Sequence, residues 1–248
     1  MLVHRTRLIF CLTTFVLLSN FLQAQITNKD SVFLQTSIKN VLHFYDQNIG
    51  EQSGKYNGSQ NIGYSIATIE KNPYFNSSQF SVGTILYNHV LYEGVKLIYD
   101  EVADLVVLED SSHKIELINE RLQEFSIGDN NFKFLSKEED LSNSLSRTGF
   151  YQVLVDNKTS LYKEEIKKLS EKIMNSTELS IQIDVYTHYY IEKNDRFFVI
   201  QRKSQVFKVF KDKEKEIKKY IKTQHLNFRK DKDNMLTNVV AYYNHLTN

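Results

Sequence analysis

The chain has 248 residues, with 31 lysines and arginines against 30 aspartates and glutamates, and a formal net charge of +1. That balance lacks the basic footprint on which general nucleic-acid binding rests, so no nucleic-acid partner is expected. A single cysteine, Cys11, leaves no basis for a disulfide framework.

Residues 1–24 read as a signal peptide. His4, Arg5 and Arg7 give a positive start, Leu8 to Leu18 is apolar except for Thr13 and Thr14, and Leu22-Gln23-Ala24 is a suitable cleavage sequence. A membrane-spanning helix needs about 20 apolar residues, and Ser19 and Asn20 interrupt this run too early, so no transmembrane segment is expected after signal cleavage. Cleavage after Ala24 takes away Cys11, Arg5 and Arg7, leaving a thiol-free domain over residues 25–248 with a formal charge of −1. A domain of this size buries about 70% of the surface of its unfolded chain. Of the chain's 16 phenylalanines 13 lie in this domain, with all 15 tyrosines, and they can supply much of that core.

Leu34, Ile38, Val41, Leu42, Tyr45 and Ile49 form one apolar stripe, which predicts a helix over 32–49, capped by Asp30 or Ser31 and ended by Gly50. His43 lies off that stripe. Residues 51–63 read as a glycine-rich loop without the strand-loop-helix setting of a phosphate cradle. Asn72-Pro73 marks a turn. An antiparallel sheet is then expected over about 62–203. Ile85-Leu86-Tyr87 and Val90-Leu91-Tyr92 flank Asn88-His89 as a hairpin. Further short strands follow: Val95 to Tyr99, Leu105 to Leu108, Ile115 to Ile118, Leu122 to Ile127, Phe132 to Leu135 and Phe150 to Val155, separated by turn residues. Residues 161–174 are ambiguous, because Tyr162, Ile166, Leu169 and Ile173 have helical spacing in a stretch that also suits a long strand. Ile181 to Val185 reads as a strand, and Tyr189 to Ile191 with Phe197 to Ile200 as a hairpin. Helices are expected over about 204–246, with Ser204 and Asp212 as caps. The fold class is therefore α+β: a mainly antiparallel β meander, as a curved open sheet or partial barrel, with an N-terminal helix and C-terminal helices, all in one globular domain.

No catalytic or metal motif stands out, so no catalytic residue, no metal site and no cofactor is expected. His188 and Glu192 would pair as ligands on a helix, yet on a strand residues four apart lie about 13 Å from one another. His89 and His113 fall in predicted turns. Glu138, Glu139 and Asp140 form an acidic trio without regular calcium-ligand spacing. Between Lys208 and Asp233 ten basic residues face five acidic ones; this suits the wet face of an amphipathic helix better than a surface for anionic lipid head groups or an acidic partner. Tyr87, Tyr92, Tyr99, Tyr189 and Tyr190 suit a sheet's packing better than a sugar platform.

Gly83-Thr84-Ile85-Leu86-Tyr87-Asn88 and Val95-Lys96-Leu97-Ile98-Tyr99-Asp100 resemble an uncharacterised family of exported Bacteroidota proteins with no assigned activity. So do Lys218-Lys219-Tyr220-Ile221, Tyr242-Tyr243-Asn244 and the signal end Leu22-Gln23-Ala24-Gln25. The resemblance implies a periplasmic or extracellular location in a Gram-negative bacterium and no activity to carry over. That family's first hairpin turn favours Asn-Gly, where this chain has Asn88-His89. The leading expectation is an exported non-catalytic envelope or secreted protein that binds a partner or an apolar ligand, with an envelope protein or a lipid as partner classes. The alternatives are a hydrolase-type enzyme with a non-local acid/base site, and a peripheral membrane-attached protein using the basic C-terminal helices.

Overall fold

Asn88 and His89 both adopt the left-handed conformation, with φ of 50° and 63°. Two such residues in succession make a type I′ turn, whose twist matches that of paired strands. The turn joins β1 (Ser81–Tyr87) to β2 (Val90–Asp100), the first hairpin of a ten-stranded sheet. The computed structural model describes residues 71–110, 113–175 and 178–247; the signal segment and the helix expected over 32–49 lie outside them. The sheet continues with β3 (Leu105–Asp110), β4 (His113–Glu116), β5 (Leu122–Ile127), β6 (Asn130–Leu135), β7 (Gly149–Val155), β8 (Thr159–Asn175), β9 (Glu178–Lys193) and β10 (Phe197–Val199). Three helices follow: α1 (Lys203–Val209), α2 (Glu214–Thr223) and α3 (Lys232–Thr247).

Every strand pair is antiparallel, and the spatial order is β10-β9-β8-β7-β6-β5-β1-β2-β3-β4. The first meander runs outward from β1. The chain then returns to place β5 on the other side of β1 and runs outward again. The sheet stays open, and the α+β class holds. The ambiguous stretch 161–174 is strand, inside β8. Residues 181–191 form one continuous strand rather than two segments, and His113 opens β4 rather than sitting in a turn.

Register assigns the side chains to two faces, because alternate residues of a strand point oppositely. On the inner face lie Ile85, Leu97, Tyr99, Val106, Phe125, Phe132 and Phe150, which form one buried cluster. Tyr99 on β2 and Phe150 on β7 have ring centroids 5.9 Å apart. In a flat sheet, four strand spacings would put these strands about 19 Å apart. The sheet therefore curls until its inner face closes on itself around four rings, with Phe125 stacked on Phe132 at 4.6 Å. Gly83 lies under this curl. A methyl group there would overlap the Ser126 carbonyl oxygen on β5.

Farther along the same face the helices cover Leu161 and Ile191 with Val206, Phe210, Ile217, Ile221, Leu236 and Val240. Asn244 docks α3 onto β8. Its side-chain oxygen accepts from the Thr159 N–H at 3.0 Å and its amide donates to the Thr159 carbonyl at 2.8 Å. Ser204 sits inside α1 rather than capping it; the Gln205 side chain accepts from the Gln201 and Arg202 backbone N–H groups instead. Asp212 likewise lies in a 3₁₀ turn before α2, where its carboxylate accepts from Lys193 and Tyr243. Side-chain partners from the sheet and α3 outcompete the local capping role there. The outer face carries a third cluster of Leu135, Leu145, Tyr151, Tyr162 and Tyr190, to which the β6–β7 connection contributes Leu145.

Two substitutions test the curl. Phe132→Ala removes a ring from its centre and is expected to cost about 3–5 kcal/mol. Gly83→Ala is expected to cost about 1–3 kcal/mol through overpacking. Urea unfolding reads both, and wild-type midpoints would show the curl to be looser than described.

Candidate functional site

Glu164 is completely buried, with its carboxylate on the outer face of β8. Register puts His188 of β9 directly opposite, and its Nδ1 lies 3.2 Å from the carboxylate. Ser146 Oγ donates to both carboxylate oxygens (2.6 and 2.7 Å), Arg147 Nε donates at 3.0 Å, and the Tyr190 hydroxyl at 3.1 Å. The other side of the guanidinium reaches Asp104, in the β2–β3 turn, at 2.7 Å. Asp104 also accepts from the Tyr99 hydroxyl at 2.6 Å. Gly149 makes room for this bridge, since a methyl group there would strike the Asp104 carboxylate. Against the burial penalty, the carboxylates of Asp104 and Glu164 hold the Arg147 pKa above its ordinary value. Burial, with Glu164 beside it, pushes the Tyr190 hydroxyl up to about 12. Ser146 gives its proton to a carboxylate already engaged by other donors rather than to His188, so its hydroxyl is not set as an activated nucleophile. The geometry is that of a clasp: it fastens the β2–β3 turn to β7 and β8.

A second ion pair reinforces the same seam. Lys167 of β8 meets Glu101 of the β2–β3 turn at 2.8 Å, and both side chains are nearly buried. Lys167 Nζ also donates to the carbonyls of Asn72 and Tyr74 (2.9 and 2.8 Å), and its backbone N–H to the Glu101 carbonyl at 3.3 Å. Burial pushes Glu101 up to about 7, with Lys167 opposing the shift.

An open groove lies elsewhere on the outer face. One lobe, of about 460 Å³, is lined by Leu86, Leu91, Glu124, Lys133, Val153 and Asp156, among others. A second, of about 320 Å³, shares Lys133 and Tyr162 and adds Glu139, Leu141, Glu192, Asp195 and Phe197. The β6–β7 connection walls it. That connection is folded around Asp140, whose carboxylate accepts the backbone N–H groups of Ser142, Ser144 and Leu145. Leu91 is 52% exposed and Leu141 92%. The groove and the Glu164 clasp share no residue.

The residues singled out by sequence are dispersed. His188 and Glu192 stand on one strand, β9, four positions apart, and His188 pairs across with Glu164 instead. His89 is the second residue of the type I′ turn. Tyr99, Tyr189 and Tyr190 are buried in the packing, while Tyr87 and Tyr92 edge the inner cluster. The basic tail residues Lys208, Lys211, Lys215, Lys218, Lys219 and Lys222 are exposed on helices whose apolar sides are buried against the sheet. Glu101, Asp104, Arg147, Glu164 and Lys167 carried no signal in the sequence beyond charge within a charged stretch. Among the described residues no helix is long and apolar enough to cross a membrane.

No family model, curated protein or solved structure matches this chain.

Breaking the clasp exposes its energetics. Arg147→Ala leaves the buried Glu164 carboxylate without its cation and is expected to lower stability by about 3–5 kcal/mol; a loss under 1 kcal/mol in urea unfolding would refute the assignment. Glu101 adds a pH dependence. Between about pH 4.5 and pH 7 the folded chain keeps a proton on Glu101 that the unfolded chain has released, so this group's stabilising effect declines as pH rises through that window. Glu101→Gln is expected to flatten the Tm profile across it, and an unaltered slope would contradict the shift.

Proposed function

We propose that the protein is an exported, non-catalytic envelope or secreted protein that binds a protein partner through the outer-face groove. The observation that carries this reading is the contrast between the two faces of the sheet. Inside the curl, Tyr99, Phe125, Phe132 and Phe150 fill the space, and the cleft bordered by Tyr99, Phe132 and Phe150 holds only about 10 Å³. That is about the room one water needs. An acyl chain has no chamber there, whereas ligand pockets measure about 300–1,000 Å³ and enclose their ligand. On the outer face the groove is open and mixed in polarity, as protein-binding surfaces are. Export is supported by the N-terminal pattern from His4 to Ala24, and the Bacteroidota resemblance points to the periplasm or the cell exterior.

A hydrolase reading draws on the convergence of Glu164 and His188 at 3.2 Å. Its weakness is that the same carboxylate is committed to Arg147, Ser146 and Tyr190.

Native mass spectrometry of the protein purified from its source, with solvent extraction, distinguishes ligand carriage from partner binding. The expected result is a protein free of apolar small molecules that crosslinks to another protein from a photoreactive group at Leu91. A stoichiometric lipid in the extract would overturn the proposal.

A further inference from the structure

The groove's lining specifies the chemistry of its partner. Its register crosses the strands rather than following them: Leu91 on β2 pairs with Leu86 on β1, Leu86 with Glu124 on β5, and Glu124 with Lys133 on β6. The next row passes through Val153 on β7 to Tyr162 on β8.

The charges along the trough are unequal. Glu124, Glu139, Asp156, Glu192 and Asp195 line it, against the single cation Lys133. Lys133 is itself 3.9 Å from Glu124. Of these carboxylates, Glu124, Glu139, Asp156 and Asp195 are exposed. Glu192, in the second lobe, accepts at 3.0 Å from the hydroxyl of Tyr162, which lines both lobes. Between the charges stand exposed apolar anchors, Leu91 at one end and Leu141 at the other. Apolar anchors flanked by carboxylates fit apolar side chains flanked by ammonium or guanidinium groups. Such complementarity steers encounter and rejects anionic competitors.

We infer that the groove receives a lysine- or arginine-bearing amphipathic segment of a partner protein. This rests on the reading of the protein as a partner-binding module and adds the class of partner. The exposed carboxylates meet the cations, and Leu91 and Leu141 meet the apolar face.

The test uses two fluorescein-labelled amphipathic peptides of about 16 residues, one built of Leu and Lys and the other its Leu and Glu twin, titrated by anisotropy into the full protein. The Lys peptide is expected to bind at least about tenfold tighter than its twin and to weaken as salt rises through the range that screens surface charge. The triple variant Glu139→Gln, Asp156→Asn, Asp195→Asn is expected to lose at least about fivefold of that affinity, and Leu91→Asp a similar amount. Glu116→Lys, away from the groove on β4, serves as the control and is expected to change it less than about twofold. Circular dichroism confirms that each variant is folded. Equal binding of the two peptides, or undiminished binding by the triple variant, overturns the inference, as does failure of both peptides to bind. Tighter binding of the Glu twin with crosslinking at Leu91 overturns the cationic class alone and leaves partner binding intact. A lipid in the extract of the native protein removes both.

Discussion

A carboxylate with no access to water organises this fold. Glu164 sits on β8, two strands in from the β10 edge, and burying it alone would cost far more than any single contact returns. Four groups from two parts of the chain answer it: Ser146 and Arg147 from the β6–β7 connection, and His188 and Tyr190 from β9. Arg147 passes the constraint on to Asp104, and Asp104 to Tyr99. Tyr99 is the ring around which Phe125, Phe132 and Phe150 assemble. The polar seam and the aromatic interior are thus two ends of one chain of contacts. Neither can relax without disturbing the other, which is how a sheet with open edges maintains its curl.

The ion pairs in the seam need not exceed an apolar packing of the same shape in stability. Their evident effect is positional. Asp104 is 43 residues from Arg147, and Lys167 is 93 residues from the Tyr74 carbonyl it binds. Only one curvature of the sheet lets both connections close. Apolar contacts alone would tolerate a range of curvatures.

What was legible in the sequence is what local chemistry determines. The turn at Asn88-His89 could be read because Asn tolerates positive φ; the strands from β2 to β7 could be read because their apolar residues alternate between turn signals. β8 could not be assigned. Tyr162 and Ile166 are four apart on the outer face, while Leu161 points inward to the helices, so the apolar spacing imitates a helix. The clasp was illegible for a different reason. Asp104, Arg147 and Glu164 come together only after the sheet has curled, and no spacing along the chain encodes that meeting. Asp212 shows the same limit at smaller scale. Its position suited a helix cap, but a lysine from β9 and a tyrosine from α3 reached its carboxylate.

The contact between Asn244 and Thr159 has a consequence for the order of events during synthesis. The Asn244 side chain imitates a strand neighbour at the first residue of β8, where the β7 partner shifts register between Val153 and Val155. The two residues are 85 positions apart. The polar groups of Thr159 stay without this partner until those 85 further residues have emerged. In synthesis from the N-terminus, β8 therefore gains this fastening only after the chain has run on through α3.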